Sequence, residues 1–349
     1  MSVTLKDIEQ EVKISRQAIS AVLNNKSNCR VSEKVRMRIM QVAKEKGYRA
    51  NFGYKVMRGN ATKTAAVIIS SERRRNDEFI QHLLLMLLDK LDSLGYAVYS
   101  NNNMGPDEKE NFERICDLMQ RGVEHFIFIG IPVGYKEMIN EITSHRKTYI
   151  GFQSSFARDL SIDTISGEEE IFRYFQSKVG DNFAFFLQKS KSGIFNPKRL
   201  QALSNLYPAL TSDDIVNKFV FDIPRMQWEE PSFADKMFEY GYQCAEKAVK
   251  TRPGLKAFFF MADSFALGAA VYFHKSGKVI GKDVLLAGIN NDSAVQYHVY
   301  PISSIEYPVQ EVSRILLEEF TSAEPVSRII KPLVHIREIQ PQANMLCSY

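Results

Sequence analysis

The sequence predicts a small all-α head of the helix-turn-helix kind, followed by an α/β body made of two doubly wound, parallel-sheet lobes. Three observations point there. In the first sixty residues, apolar side chains recur at helical spacing in short runs, two of them opened by a capping serine and one by a threonine. Those residues also carry thirteen Lys/Arg against five Asp/Glu, a net +8, whereas the rest of the chain has thirty-two against thirty-six, a net −4. Beyond them, strand-like and helix-like stretches alternate, and the alternation runs twice, as βαβ units do.

A length of 349 residues suits two or three domains, and the apolar and charged fractions are those of an ordinary globular chain. A basic head on a mildly acidic body points to a polyanion as the head's partner. A solvated basic face is the plain alternative. Cys29, Cys116, Cys244 and Cys347 are far apart with no CxxC, and the six histidines show no HExxH spacing. This argues against a zinc ribbon or a disulfide framework, fits a reducing compartment, and gives no reason to expect a metal or a cofactor. The N-terminus lacks a signal-peptide apolar core, so a cytoplasmic, nucleoid-associated protein without membrane attachment is expected. The most apolar run, "AFFFMADSFALGAAVYF" at 257–273, is interrupted by Asp263 and reads as a buried strand and then a helix.

In the head, Thr4 and Asp7 form a capping-box-like start, and Leu5, Ile8 and Val12 share one face of a first helix. Ser15 caps a second helix running to about Asn24, with Ile19, Val22 and Leu23 inward and Arg16, Gln17, Ser20 and Ala21 outward. Ser32 caps a third, with Val35, Ile39, Val42 and Ala43 inward and Gly47 as its stop. Such a trio matches a helix-turn-helix module, whose second helix lays its first turn in the DNA major groove. There Arg donates two bonds to guanine and Gln pairs with adenine. A small helical bundle with surface Arg and Gln is the bland reading.

The stretch "VTLKDIEQEVKISRQAISAVLNN…VSEKVRMRIMQVAKEKGYRAN" resembles the DNA-binding head of the LacI/GalR family of bacterial transcription regulators over about fifty residues. The resemblance implies major-groove contacts from Ser15, Arg16, Gln17, Ser20, Ala21 and Asn24. The family usually has a larger polar or basic residue at Ala21, which leaves Arg16 and Gln17 as the main base readers. "NFGYKVMRGN" (51–60) sits where the family has a hinge helix that orders in the minor groove, implying contacts from Tyr54, Lys55, Met57 and Arg58. A segment that short, with Gly53 in it, does not hold a helix alone and folds on binding. Met57 matches the family's wedge between base steps.

In the body, "AAVIIS", "YAVYSN", "HFIFIGI" and "TYIGFQ" are separated by helix-like runs; "FAFFLQ", "FVFDI", "AFFFMA" and "VLLAGIN" repeat the scheme. Parallel sheets of this sort bind ligands beyond the carboxyl ends of their strands, here in a cleft between lobes. No GxGxxG follows the first strand, and no GxxxxGK[ST] or GxSxG occurs, so an enzyme has no motif in its favour. The family resemblance extends loosely through "PKRLQAL", "MADSFALGAAVYFHKSGKVIGKDVLLAGINND" and "PISSIEYPVQEVSRILLEEF". It implies a fold like that of periplasmic sugar-binding proteins with three crossovers. The implied domains are a head at 1–50, a hinge at 51–61, and an effector-binding and dimerisation domain at 62–349. Lobe one would take about 62–156 and 293–323, and lobe two about 157–292 and 324–349.

The implied effector residues are Phe79, Gln153, Arg199, Asn290 and Trp228. Arg199 is a candidate for a carboxylate or hydroxyls, with a surface salt bridge as its plain alternative; Phe79 stacks on a ring or is core. Gln153 and Asn290 stand where the family often has acids, and Ala262 where it often has Asn; an amide both donates and accepts. The expected function is a transcription regulator, a repressor, binding a near-palindromic operator in double-stranded DNA as a homodimer. A small, sugar-like effector would tune that affinity. A periplasmic-type solute receptor without DNA binding is the alternative.

Overall fold

Three amphipathic runs make the head. In the computed structural model, which describes residues 3–23, 31–48, 62–70, 77–154, 156–190, 192–224 and 233–339, the chain divides into two units, Met1–Thr62 and Lys63–Tyr349. Helix α1 spans Leu5–Val12. The Asp7 carboxylate accepts from both the backbone N–H and the hydroxyl of Thr4, at 2.7 and 2.8 Å, and those bonds hold it below the usual carboxylate range. Lys13 ends the helix in the left-handed region, φ 56. Helix α2 spans Arg16–Leu23, its start marked by Ser15 Oγ, which accepts from the Ala18 N–H at 3.4 Å. Helix α3 spans Glu33–Glu45 and stops before Gly47, whose φ of +66 suits a residue without Cβ. Ile8, Val12, Ile19, Val22, Ile39, Val42 and Ala43 close on one another as the core. The larger of these side chains each contribute roughly 1.5–3 kcal/mol by leaving water.

The body opens with β1 (Thr64–Ser70), α4 (Glu78–Ser93), β2 (Ala97–Met104), α5 (Glu108–Gln120), β3 (His125–Ile129), α6 (Tyr135–Ser144), β4 (Thr148–Phe152) and β5 (Arg158–Ile162). It continues with α7 (Thr164–Val179), β6 (Phe183–Leu187), α8 (Pro197–Leu206), α9 (Ser212–Phe219), β7 (Val220–Asp222), α10 (Phe233–Thr251), β8 (Ala257–Phe260), α11 (Asp263–Lys275), β9 (Leu285–Ile289) and α12 (Ser293–Gln296). β10 (Ile302–Glu306), α13 (Val309–Glu319), β11 (Val326–Ile330) and β12 (Leu333–His335) complete it. Two six-stranded sheets result, ordered β11-β5-β4-β3-β1-β2 and β12-β10-β9-β8-β6-β7. The first is parallel throughout, and the second is parallel except at the β10–β12 edge. Each carries helices on both faces, so its central strands are apolar throughout, as "TAAVIIS" and "FAFFL" are.

The lobe boundaries differ from those expected. β5 and β11 belong to the first sheet, not the second lobe, and β10 belongs to the second sheet, not the first lobe. Parallel pairing decides this: β5 lies between β4 and β11 (Phe152↔Leu160, Leu160↔Arg328), and β10 lies beside β9 (Ser303↔Ala287). The chain therefore passes between lobes near residues 163, 307–308 and 331–332, each time at the carboxyl end of a strand. At the first passage the Asp163 N–H donates to Ile330 O at 2.8 Å, binding two of them together.

"AFFFMADSFALGAAVYF" does resolve into β8 and α11. Helices α10 and α11 approach so closely that a Cβ on Gly268 would run into the Phe238 carbonyl, and one on Gly241 into that of Phe265. No helix among the described residues is long and apolar enough to cross a membrane.

Candidate functional site

On the head, the packing of α2 decides which side chains are presented. Ile19 and Val22 are fully or almost fully buried against α1 and α3, which turns Ser15, Arg16 and Gln17 outward, all exposed. Ser20 and Ala21, one turn on, are half-buried. Arg16 Nε lies 3.1 Å from Glu9 Oε2, with 64 % of its side chain accessible. An exposed pair of this sort is weak, so the guanidinium is restrained without being used up. The first turn of α2 thus offers fork donors from Arg16 and a donor–acceptor amide from Gln17, side by side. Asn24 and the hinge candidates Tyr54, Lys55, Met57 and Arg58 lie outside the described residues.

In the body, two candidates occupy matching places. Gln153 follows β4 and Asn290 follows β9, each one residue past the strand, each half-buried, with φ of 50 and 106. Their backbone N–H groups donate to Leu160 O and Ile305 O, both at 2.8 Å, which fixes the turns. Gln153 therefore sits at the carboxyl edge of the first sheet and Asn290 at that of the second, the edges from which such sheets take ligands. Arg199 lies in the first turn of α8, beyond the carboxyl end of β6, with 24 % of its side chain exposed. Phe79 is placed otherwise: it is buried in α4, its ring 5.6 Å from those of both Phe152 and Tyr307, so it serves the core of lobe one. Trp228 lies outside the described residues.

Several polar groups here are not singled out by the sequence reading. Arg199 Nη1 stands 2.8 Å from Oε1 of Glu168 on α7, a carboxyl only 1 % exposed. The approach is close but off-axis, and Oε1 has no hydrogen bond of ordinary geometry. Burial drives the Glu168 carboxyl up to about 7, against the pull of Arg199. The telling signal was spacing: Glu168 precedes the buried Ile171, Phe172 and Phe175 by three, four and seven residues.

The second group fixes the turn that bears Asn290. Asp263, fully buried at the start of α11, accepts from Ser304 Oγ at 2.7 Å and from the Asp292 N–H at 2.8 Å. Burial, then the neighbouring Asp292, raises its carboxyl well above the usual range. Asn291 Nδ2 donates to Glu306 at 2.7 Å, and Arg337 Nη2 donates to Asn291 Oδ1 at 2.6 Å. His335 Nε2 lies 2.6 Å from the same Glu306 oxygen. Asp292 is lifted to about 7 by burial and by Asp77 and Glu78 of lobe one. Across the cleft, Glu78 accepts from the backbone N–H and the hydroxyl of Ser293, at 2.9 and 3.1 Å, joining the starts of α4 and α12. No group of three metal-ligating side chains occurs among the described residues.

Comparison with known proteins agrees with this architecture. Residues 4–51 match the family of bacterial regulatory proteins, lacI family, and residues 220–324 match a periplasmic binding protein-like domain. Catabolite control protein A of Staphylococcus xylosus is 22 % identical, with 93 % of this chain and 94 % of that protein covered. The transcriptional regulator GalR of Streptococcus thermophilus is 21 % identical, with 90 % and 91 % covered. Among solved structures, the lac repressor dimer bound to operator and the anti-inducer ONPF superposes with a TM-score of 0.71 at 17 % identity, covering 97 % of this chain and 99 % of that one. A complex of the transcriptional regulator CelR with cellobiose gives 0.58 at 18 % identity, covering 96 % and 99 %.

Proposed function

We propose that the chain, whose residues 4–51 match the lacI family and whose residues 220–324 match a periplasmic binding protein-like domain, is a LacI-family repressor that binds a near-palindromic operator as a homodimer and yields it to a small, sugar-like effector. The observation that carries this reading is the first turn of α2, where a buried Ile19 and Val22 leave Arg16 and Gln17 standing outward from a rigid three-helix core. In this reading Arg16 and Gln17 read base edges and Ser15 and Ser20 reach phosphates. Two copies engage two half-sites, since two-fold protein symmetry mirrors two-fold operator symmetry.

The effector lies between Gln153 and the Asn290–Arg199 edge. Binding biases the lobes toward one another, with the Glu78–Ser293 contact as part of the closed arrangement. Coupling of typically 1–3 kcal/mol then lowers DNA affinity by about five- to a hundredfold. Selection of bound fragments from random DNA tests the reading, followed by titration of the selected duplex at two salt concentrations with and without a sugar panel. Expected are a site with two-fold symmetry, and an affinity that falls steeply with salt, by about 0.9 in log–log slope per phosphate neutralised. A chain that enriches no sequence, or binds all duplexes equally, is not such a repressor.

A further inference from the structure

We propose that Glu168, acting through Arg199, sets the charge class of the effector: the lobe-two edge of the cleft takes an uncharged ligand and discriminates against a carboxylate or phosphate on the same skeleton. This rests on reading the body as an effector-binding unit. An arginine at a ligand-facing edge ordinarily invites an anion, since its fork matches carboxylate and phosphate oxygens. Here the invitation is withdrawn. Arg199 Nη1 is held at 2.8 Å by a carboxylate that is 1 % exposed and so cannot be screened by water. What remains on the accessible side of Arg199 is a set of N–H donors on a pair with no net charge. Such donors suit hydroxyl oxygens. An anion brought to them would stand within a few ångströms of the Glu168 charge in a poorly solvated setting, where like charges repel strongly.

The rest of the edge has the same sign. Around the Asn290 turn, Asp263 and Glu306 face Arg337, whose guanidinium donates to Asn291 and Ile302 O. Lys189 at the end of β6 is engaged over the Phe195 ring at 5.2 Å. Among segments packed on α7, the charged groups are Arg199 from α8, the mutually bonded Glu306 and His335 from β10 and β12, and, at the far end of the helix, Glu338, which pairs with Lys178 and accepts from the Tyr174 hydroxyl. On α7 itself, Glu169 takes a hydrogen bond from Asn205 and pairs with Arg173. Lys198, one residue before Arg199, is exposed, so the discrimination acts at the Arg199 donors themselves and not through a lack of cations nearby. Because burial holds the Glu168 carboxyl near 7, the discrimination is fullest at about pH 8, where the pair is charged on both sides.

The test uses the full chain and matched probes: glucose, gluconate and glucose 6-phosphate; galactose, galactonate and galactose 6-phosphate; ribose and ribose 5-phosphate. Affinities are measured calorimetrically at about pH 8 for the wild type and for Glu168→Gln, with specific DNA binding assayed in the same samples. In the wild type an uncharged member binds, and its anionic counterpart binds roughly tenfold or more weakly. In Glu168→Gln the anion-to-neutral affinity ratio rises roughly tenfold or more, because the amide leaves the guanidinium charge uncancelled. A role in folding alone would weaken both members together and leave that ratio where it was. A wild type that prefers an anionic member, or binds no member at all, overturns the proposal without the variant being needed. So does an unchanged ratio in a folded variant. Specific DNA binding that persists while the proposal fails leaves the regulator reading standing; loss of DNA specificity strikes that reading instead.

Discussion

Glu168 also gives a stability prediction whose sign follows from the structure. Burial lifts its carboxyl from 4.5 to about 7, so the folded chain holds this proton more tightly than the unfolded chain does. The associated stability is fully present below about pH 4.5 and is lost as pH rises through about 7. At roughly 1.4 kcal/mol per pH unit, the interval is worth on the order of 3 kcal/mol. Asp292, also raised to about 7, and Asp263 act in the same direction. The body of the wild type should therefore become less stable between about pH 5 and pH 8. Glu168→Gln removes one titrating proton from that sum. Urea unfolding of both proteins, followed by far-UV circular dichroism at intervals across this range, reads the difference. The variant's absolute stability is not diagnostic, since the substitution also unpairs Arg199; the pH dependence is. The expected result is a wild-type-minus-variant difference that falls by about 3 kcal/mol from the acid to the alkaline end. Curves that run parallel to within about 0.5 kcal/mol would refute the argument that burial of Glu168 outweighs the pull of Arg199 in the folded chain.

Other perturbations probe other parts of the chain. Gly268→Ala puts a methyl group against the Phe238 carbonyl where α10 and α11 meet; it should cost about 1–3 kcal/mol or more in unfolding free energy, and a change under about 0.5 kcal/mol would contradict the close approach. Ile19→Ala empties the centre of a small core, seven buried side chains among the described residues, so a loss of roughly 2–5 kcal/mol should unfold the head while the body melts unchanged. A head signal in circular dichroism that survives would show that this core is not what holds the three helices. Arg16→Ala should relax base preference at one operator position by about 1–3 kcal/mol, leaving the other positions of a selected-site profile intact; an unaltered profile counts against direct readout by this side chain.

Much of the fold was legible because it rests on periodicity. Apolar residues three and four apart give α1 to α3, and unbroken apolar runs such as "FAFFL" and "AFFF" give strands buried on both faces. The lobe boundaries were not legible. β5 reads "RDLSI" and β11 "VSRII", short mixed stretches whose place depends on which neighbour they pair with, and pairing is a long-range matter. At the site, Gln153, Asn290 and Arg199 fall at strand ends or a helix start, where local pattern carries information. Phe79 shows the reverse. Helical spacing puts it on an inner face, and only the rings of Phe152 and Tyr307 decide that the inner face is core. Glu168 escaped because an acid on an apolar face is intelligible only with its partner in view, and Arg199 is thirty-one residues away in sequence.

Threading back and forth has an evolutionary corollary. β11 completes one sheet and β12 the other, with a two-residue step between them. Neither half of the clamshell is thus encoded by an uninterrupted stretch of gene. A single recombination event cannot graft one half from a cousin without severing the other, and a premature stop near residue 325 would strip an edge from both at once. New ligand preferences in such a chain must arise by point changes at the rim, because wholesale exchange of a half is closed to it.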